Sequence, residues 1–309
     1  MTDTTNTIVT GLQNVPVSST TPDDGYVLTY VGSAGEWTPK APQKLGLNQE
    51  YFTTDGYWTA PEGITTILAI GAGGGGAGGG GGRNTHGGAI SPTIGQGAGA
   101  GGGSIQVQVP IAVIPGKTYS IKIGNGGIGG QGAQNISSFD IGLNGTNGKN
   151  TLIKDEYDNI LFCALGAGLG LGGACISDNR VPAIGGANIA STPSPINRTE
   201  NPLPMAYGGS CDSNGNPSGG QINILGGFSA GAAGSSNGNF DGGGGGGAGP
   251  QGPGGDGGNG DGTMPTNGVS GTANTGAGGG GGGGGGQLHG SFEAGDGGDG
   301  GSGYLYIIW

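Results

Sequence analysis

The chain has 309 residues, 85 of them glycine, and a formal net charge of −11 from 20 acidic and 9 basic side chains. Nucleic-acid phosphates need a basic footprint, so this balance excludes a nucleic-acid ligand and disfavours an anionic membrane surface. Collagen needs strict glycine at every third position with abundant proline; Gly278–Gly286 lacks that period and the 17 prolines are scattered, which excludes collagen.

Residues 1–50 have ordinary glycine content. Gly11-Leu12-Gln13-Asn14-Val15-Pro16-Val17 is followed by the turn Pro22-Asp23-Asp24-Gly25, in which proline presets φ and glycine supplies positive φ. Tyr26–Val31 then reads as a short strand, ahead of Glu36-Trp37-Thr38-Pro39. A segment this small buries little surface by itself, so it is expected to be an attachment or oligomerisation module. Met1–Thr10 is polar, so no signal peptide is expected.

Residues 51–165 interleave strands with glycine runs. Tyr51–Thr54 and Ile64–Ile70 read as strands around the turn Trp58–Gly63, with Trp58 expected in the core. Ser104–Val109 alternates, with Ile105, Val107 and Val109 on one face and Gln106 and Gln108 on the other. Pro115-Gly116 is a turn, and Thr118–Ile123 alternates again with Tyr119, Ile121 and Ile123 together. Thr151–Lys154 and Ile160–Leu165 flank a hairpin turn at Asp155–Asn159. No stretch has a 3.6-residue apolar period, so helix is expected to be nearly absent.

Residues 166–303 are rich in Gly, Asn, Ser and Pro, with a proline-bearing island at 181–219. The chain then closes on the apolar Tyr304–Trp309. Such a segment must dock into a sheet, so the glycine insert starts and ends in one sheet domain, residues 51–309.

The runs Gly73–Gly76, Gly78–Gly82, Gly242–Gly247 and Gly278–Gly286 are slack linkers or ordered bundles. Linker is the compositional default. The alternating apolar segments between the runs favour order. Polyproline II geometry, three residues per turn, points every N–H and C=O outward. Packed neighbours then satisfy those groups, and only glycine permits the approach.

Catalytic chemistry is not expected. His86 and His289 lie in or beside glycine runs, without a nucleophile at motif spacing. No Gly-Lys-Ser/Thr is present, and Gly-x-Gly-x-x-Gly matches lack the helix of a dinucleotide site. No cofactor is expected. Asp256, Asn259 and Asp261, with Asp296 and Asp299, carry a faint calcium β-roll pattern that lacks the apolar position of such repeats. Of the three cysteines, Cys163 is expected to be a buried thiol in its strand, while Cys175 and Cys211 are a candidate pair. A reducing cytoplasm suits folding, and no segment reaches about 20 apolar residues as a membrane helix requires.

Tyr51-Phe52-Thr53-Thr54-Asp55-Gly56-Tyr57-Trp58-Thr59-Ala60-Pro61-Glu62-Gly63-Ile64-Thr65 with Gly73–Gly82, Pro115-Gly116-Lys117-Thr118-Tyr119 and Gly300–Trp309 resemble, in order, the glycine-rich domains of bacteriophage tail-fibre and adhesin proteins. Similar domains occur in the ectodomain of the anaplastic lymphoma kinase receptor. The resemblance implies an all-β, tumour-necrosis-factor-like β-sandwich carrying polyglycine II bundles. The N-terminal motifs are similar to the opening segments of viral fibre proteins, although no heptad stalk or long shaft is present. The implied protein is a non-enzymatic virion fibre or receptor-binding adhesin, made in the host cytoplasm, and a homotrimer. Residues 1–50 would join it to another fibre, baseplate or capsid protein. Its ligand would be a host-surface glycan or outer-membrane protein. A structural capsid-decoration fibre or extracellular filament subunit is the alternative. Recognition residues sit on loops over rigid scaffolds, which singles out Arg180, Arg198, Tyr207, Phe228 and Phe240 as candidate receptor contacts. Trp37, Tyr57 and Phe292 are further aromatics that could stack on sugars.

Overall fold

The computed structural model describes residues 27–31, 36–40, 48–84, 97–134, 141–173, 208–209, 217–220, 228–236, 241–261, 264–286 and 293–309. Two compact units divide the chain, Met1–Leu47 and Asn48–Trp309. In the first, β1 (Val27–Val31) pairs antiparallel with β2 (Glu36–Lys40), with Tyr30 opposite Trp37.

The second unit is all-β, with no helix among the described residues. Its strands are β3 (Gln49–Phe52), β4 (Gly56–Thr59), β5 (Thr66–Ala72), β6 (Arg83–Asn84), β7 (Gln106–Ala112), β8 (Thr118–Lys122), β9 (Thr151–Lys154), β10 (Ile160–Ala164), β11 (Gly285–Gly286) and β12 (Tyr304–Ile308). Two four-stranded antiparallel sheets run in the orders β10-β9-β8-β4 and β3-β12-β5-β7. β6 and β11 form a short parallel pair.

Alternation explains the packing. Val107 and Ile111 of β7, Ile67 and Ala69 of β5, and Leu305 and Ile307 of β12 turn inward from one sheet. Trp58, Tyr119, Ile121, Ile153 and Phe162 turn inward from the other, giving a β-sandwich-like core. Each buried Ile, Leu or Phe of this kind stabilises by roughly 1.5–3 kcal/mol. Trp58 belongs to β4 rather than to the turn after it; its ring centroid lies 6.0 Å from Tyr119 and 5.5 Å from Trp309. Gly71 must be small, since a Cβ there would stand 2.6 Å from the Tyr304 carbonyl oxygen and 3.3 Å from the Phe162 ring.

The turns follow their residues. Gly63 and Gly116 take φ of +81° and +76° after their prolines. In the β9–β10 turn, Asp155 Oδ1 accepts from the Tyr157 and Asn159 amides, both at 2.9 Å, and Asp158 adopts φ of 63°. The Asn159 side-chain hydrogen bond holds the Asp155 carboxyl below its usual range. Cys163 differs from expectation: it is half-buried, because Phe162 and Ala164 take the inward positions of β10. Burial still raises its thiol pKa.

Three excursions leave this sandwich, after β5, β8 and β10. Their roots share one end. Ala72 is opposite both Gln106 and Tyr304, while Thr151 is opposite Ala164 and Lys122 opposite Leu152. The two sheets are tied there by Thr151, whose buried hydroxyl donates to the Ala72 carbonyl at 2.7 Å and accepts from the Gly124 amide at 3.0 Å. Asn48 and Trp309, exchanging backbone hydrogen bonds of 2.9 Å, mark where the chain enters β3.

Beside the roots, Tyr304 is fully buried, with its hydroxyl 3.0 Å from Gln106 Oε1. Burial above all, then Tyr306 and Tyr51, pushes its phenol pKa well above the ordinary 10.0. A raised phenol pKa favours the folded state fully below the unfolded value and progressively less above it. Stability is therefore expected to fall as pH climbs past about 10. The Tyr304→Phe variant should show a shallower alkaline loss in pH-dependent urea unfolding.

Candidate functional site

The three excursions weave one hydrogen-bonded lattice. Successive amides of segment 73–82 address three neighbours in turn, then repeat. Gly74, Ala77 and Gly80 donate to Lys149, Thr146 and Leu143 at 2.9, 3.1 and 2.9 Å. Gly75, Gly78 and Gly81 donate to Gly301, Gly298 and Gly295 at 2.8, 2.9 and 2.8 Å. Gly76 and Gly79 donate to Gly102 and Gly99 at 3.0 and 2.9 Å. Three further segments donate back with the same period: Ala167, Gly170 and Gly173; Gly127, Gly130 and Ala133; Gly279 and Gly282. The segment thus has six neighbours and pairs its backbone without a sheet, as burial demands.

Segment 276–285 is enclosed in the same way. It donates toward 241–247, 76–82 and 266–269, and accepts from 98–104, 255–261 and 295–301. These enclosed segments are the glycine runs, and Cβ room is the reason. A side chain on Gly76 would fall on the Gly168 carbonyl oxygen, and one on Gly280 on that of Asp256. Within the runs φ stays outside the left-handed region until the corner at Gly276. Glycine serves close approach there rather than backbone handedness. Ala77, Ala248 and Ala277 are fully buried positions at which the lattice accepts a methyl group.

Outer segments show a second pattern that the sequence reading missed. Asn144, Asn147 and Asn150, three residues apart, accept through Oδ1 from the amides of Gly172, Leu169 and Gly166 at 2.8–2.9 Å. Asp296 and Asp299 accept from Gly132 and Gly129, each at 2.7 Å. Asp256 and Asn259 accept from Ala232 and Ser235 at 2.7 and 2.8 Å. Each side chain replaces a missing neighbour by capping an amide at the lattice edge. The signal was present as polar residues at spacing three. Asn147→Leu should cost about 1 kcal/mol and Asn147→Asp much less, because an acceptor remains; thermal unfolding of both variants checks this.

The calcium candidates therefore have described roles. Asp256, Asp296 and Asp299 are rungs, and Asp261 Oδ1 accepts from the Met264 amide at 3.3 Å. Among the described residues no group of three or more His, Cys, Asp or Glu is placed to hold a metal. Of the receptor-contact candidates, Arg180, Arg198, Tyr207 and Phe240 lie outside the described residues, as do Cys175, Cys211, His86 and His289. Phe228 is described and 39% exposed, next to Ser229, whose carbonyl accepts from Gly254. Gly255 in turn donates to Gly278, near the sandwich side, so Phe228 stands away from the far end.

That far end is defined by the partners of Gly81, Gly82 and Gly285. There Gly81 donates to Gly295 and accepts from Ala133, and Gly285 donates to Gly82. No curated protein matches the chain. The sequence profile of the glycine-rich domain family matches residues 52–309, which covers the sandwich and the whole lattice, and the chain belongs to that family.

Proposed function

We propose that this chain is a non-enzymatic fibre or receptor-binding adhesin of a phage-like particle, attaching that particle to a host cell surface. The observation that carries the reading is the single backbone lattice built from three excursions of one β-sandwich. Binding residues concentrate on loops over rigid scaffolds. The three-residue period fits polyglycine II helices, and at about 3.1 Å per residue the segment 73–82 would extend roughly 30 Å from the sandwich. The sheets fit the tumour-necrosis-factor-like sandwich implied by the resemblance to tail-fibre and anaplastic lymphoma kinase glycine-rich domains. On this reading the protein is a virion homotrimer, and residues 1–50 join it to another fibre, baseplate or capsid protein. Its ligand is a glycan or outer-membrane protein, contacted by Arg180, Arg198, Tyr207 and Phe240.

The alternative is a structural decoration fibre or filament subunit, in which the lattice only stiffens. Exchanging residues 174–207 for a short Gly-Ser linker separates the two, since it leaves every described lattice segment in place. An adhesin loses binding to susceptible cells while staying folded and particle-bound. A structural subunit keeps full function, and absence of the wild-type chain from particles together with failure to bind any cell surface would remove the adhesin reading.

A further inference from the structure

We propose that Asn125-Gly126 is a site of spontaneous deamidation at the root of the lattice. In this reaction the backbone nitrogen of the glycine attacks the asparagine Cγ, forming a C–N bond and a five-membered succinimide. The Cγ–N bond to the side-chain NH2 breaks, and that nitrogen leaves as ammonia after taking, by solvent relay, the proton released from the glycine amide. Water then opens the ring to aspartate or isoaspartate. The attacking nitrogen must be free of other bonds and the asparagine side chain free to turn.

The lattice withholds both freedoms at four of the described Asn-Gly steps. The amides of Gly145, Gly148, Gly260 and Gly268 donate to Gly170, Ala167, Ser235 and Asp296 at 3.1, 3.0, 2.9 and 2.8 Å. Their asparagines are pinned as well. Asn144, Asn147, Asn259 and Asn267 accept through Oδ1 from Gly172, Leu169, Ser235 and Asp296. Among the described residues, neither the Gly126 amide nor the Asn125 side chain has a hydrogen-bond partner. Asn125 is exposed and Gly126 half-buried, so water reaches both.

The gap has a cause in the ladder. Gly129 and Gly132 donate to Asp299 and Asp296 at 2.7 Å, and the next position in that series is Ser302. Its hydroxyl is turned away: it accepts from the Asn274 amide and donates to Asn274 Oδ1, both at 2.9 Å. The rung opposite Gly126 is therefore missing. Asn125 also lines a cleft with Asp55, Lys122 and Lys149, in which Lys122 Nζ lies 3.2 Å from Asp55 Oδ2. Isoaspartate would insert a main-chain methylene at residue 125. That shifts the register by which Gly127, Gly130 and Ala133 donate to Gly75, Gly78 and Gly81.

The test is to age the folded full chain in warm, mildly alkaline buffer and map conversion by peptide mass spectrometry, with a urea-unfolded sample in parallel. One tryptic peptide, 123–149, carries Asn125, Asn144 and Asn147 together. In the folded chain Asn125 should convert roughly fivefold or more faster than Asn144 and Asn147, the factor set by the net free energy of one hydrogen bond. In the unfolded chain the three rates should converge. Ser302→Asp, restoring a rung, should slow conversion at Asn125. Equal rates in the folded chain, or faster conversion at Asn144 or Asn147, would overturn the proposal, whatever the fold of the variant.

Discussion

Gly76→Ala is expected to destabilise the second unit by more than about 3 kcal/mol, above the usual cost of overpacking. The added Cβ falls on the Gly168 carbonyl oxygen, which belongs to backbone and cannot swing aside. Relief requires moving segment 166–173 outward, and that breaks its periodic bonds to Gly74, Ala77 and Gly80. A loss of this size lowers the melting temperature by roughly 6–12 °C for a domain of this length. Gly219→Ala is the matched control. Among the described residues the nearest atom to its Cβ is the Gly231 oxygen at 3.2 Å, so the cost should stay below about 1 kcal/mol. Scanning calorimetry of both variants decides whether glycine is needed for space. Equal melting temperatures would mean that the runs are not tightly packed.

Thr151→Val should cost roughly 2–5 kcal/mol, because two buried polar groups lose one shared partner. Valine keeps the shape and the β-branch, so the strand is not otherwise disturbed. The Ala72 carbonyl and the Gly124 amide would then each lose that partner and meet a methyl group. Ala72 ends a strand of one sheet, Thr151 starts a strand of the other, and Gly124 starts a lattice segment. The lesion thus falls where sandwich and lattice meet. Thr151→Ser keeps the hydroxyl and should recover most of the loss, leaving about 1 kcal/mol for the missing methyl. Urea unfolding monitored by Trp fluorescence reads both variants. A Thr151→Val midpoint equal to wild type would mean that the hydroxyl bridge contributes nothing.

The sandwich could be read from the chain because its strands carry side chains that alternate. Val107 with Ile111 and Tyr119 with Ile121 show their inward face in the sequence alone, and Trp58 and Tyr304–Ile308 are found in the core and the sheet as their composition suggests. Boundaries moved by a few residues where pairing extended a strand: β3 begins at Gln49 because Ile308 pairs with it. The lattice was harder. Its composition indicates that backbone must pack on backbone, but a glycine has no side chain to name its neighbour. Nothing in Gly73–Gly82 says that it lies against 142–149 or 294–303 rather than another run. The edge did carry a code, in Asn144, Asn147 and Asn150, in Asp256 and Asn259, and in Asp296 and Asp299. Those acids resembled calcium ligands because oxygen at short spacing suits both a cation and a row of amides. The contact residues expected at Arg180, Arg198, Tyr207 and Phe240 lie outside the described residues, and Phe228 stands apart from the far end.

Native-state hydrogen exchange at the amides of Gly74–Gly81 and Gly278–Gly284 tests the central claim most directly. If the glycine runs form one enclosed lattice, these amides exchange as slowly as those of β5 and β12, through global unfolding alone. Exchange at the rate of an unstructured glycine linker, with β5 and β12 still protected, would contradict it.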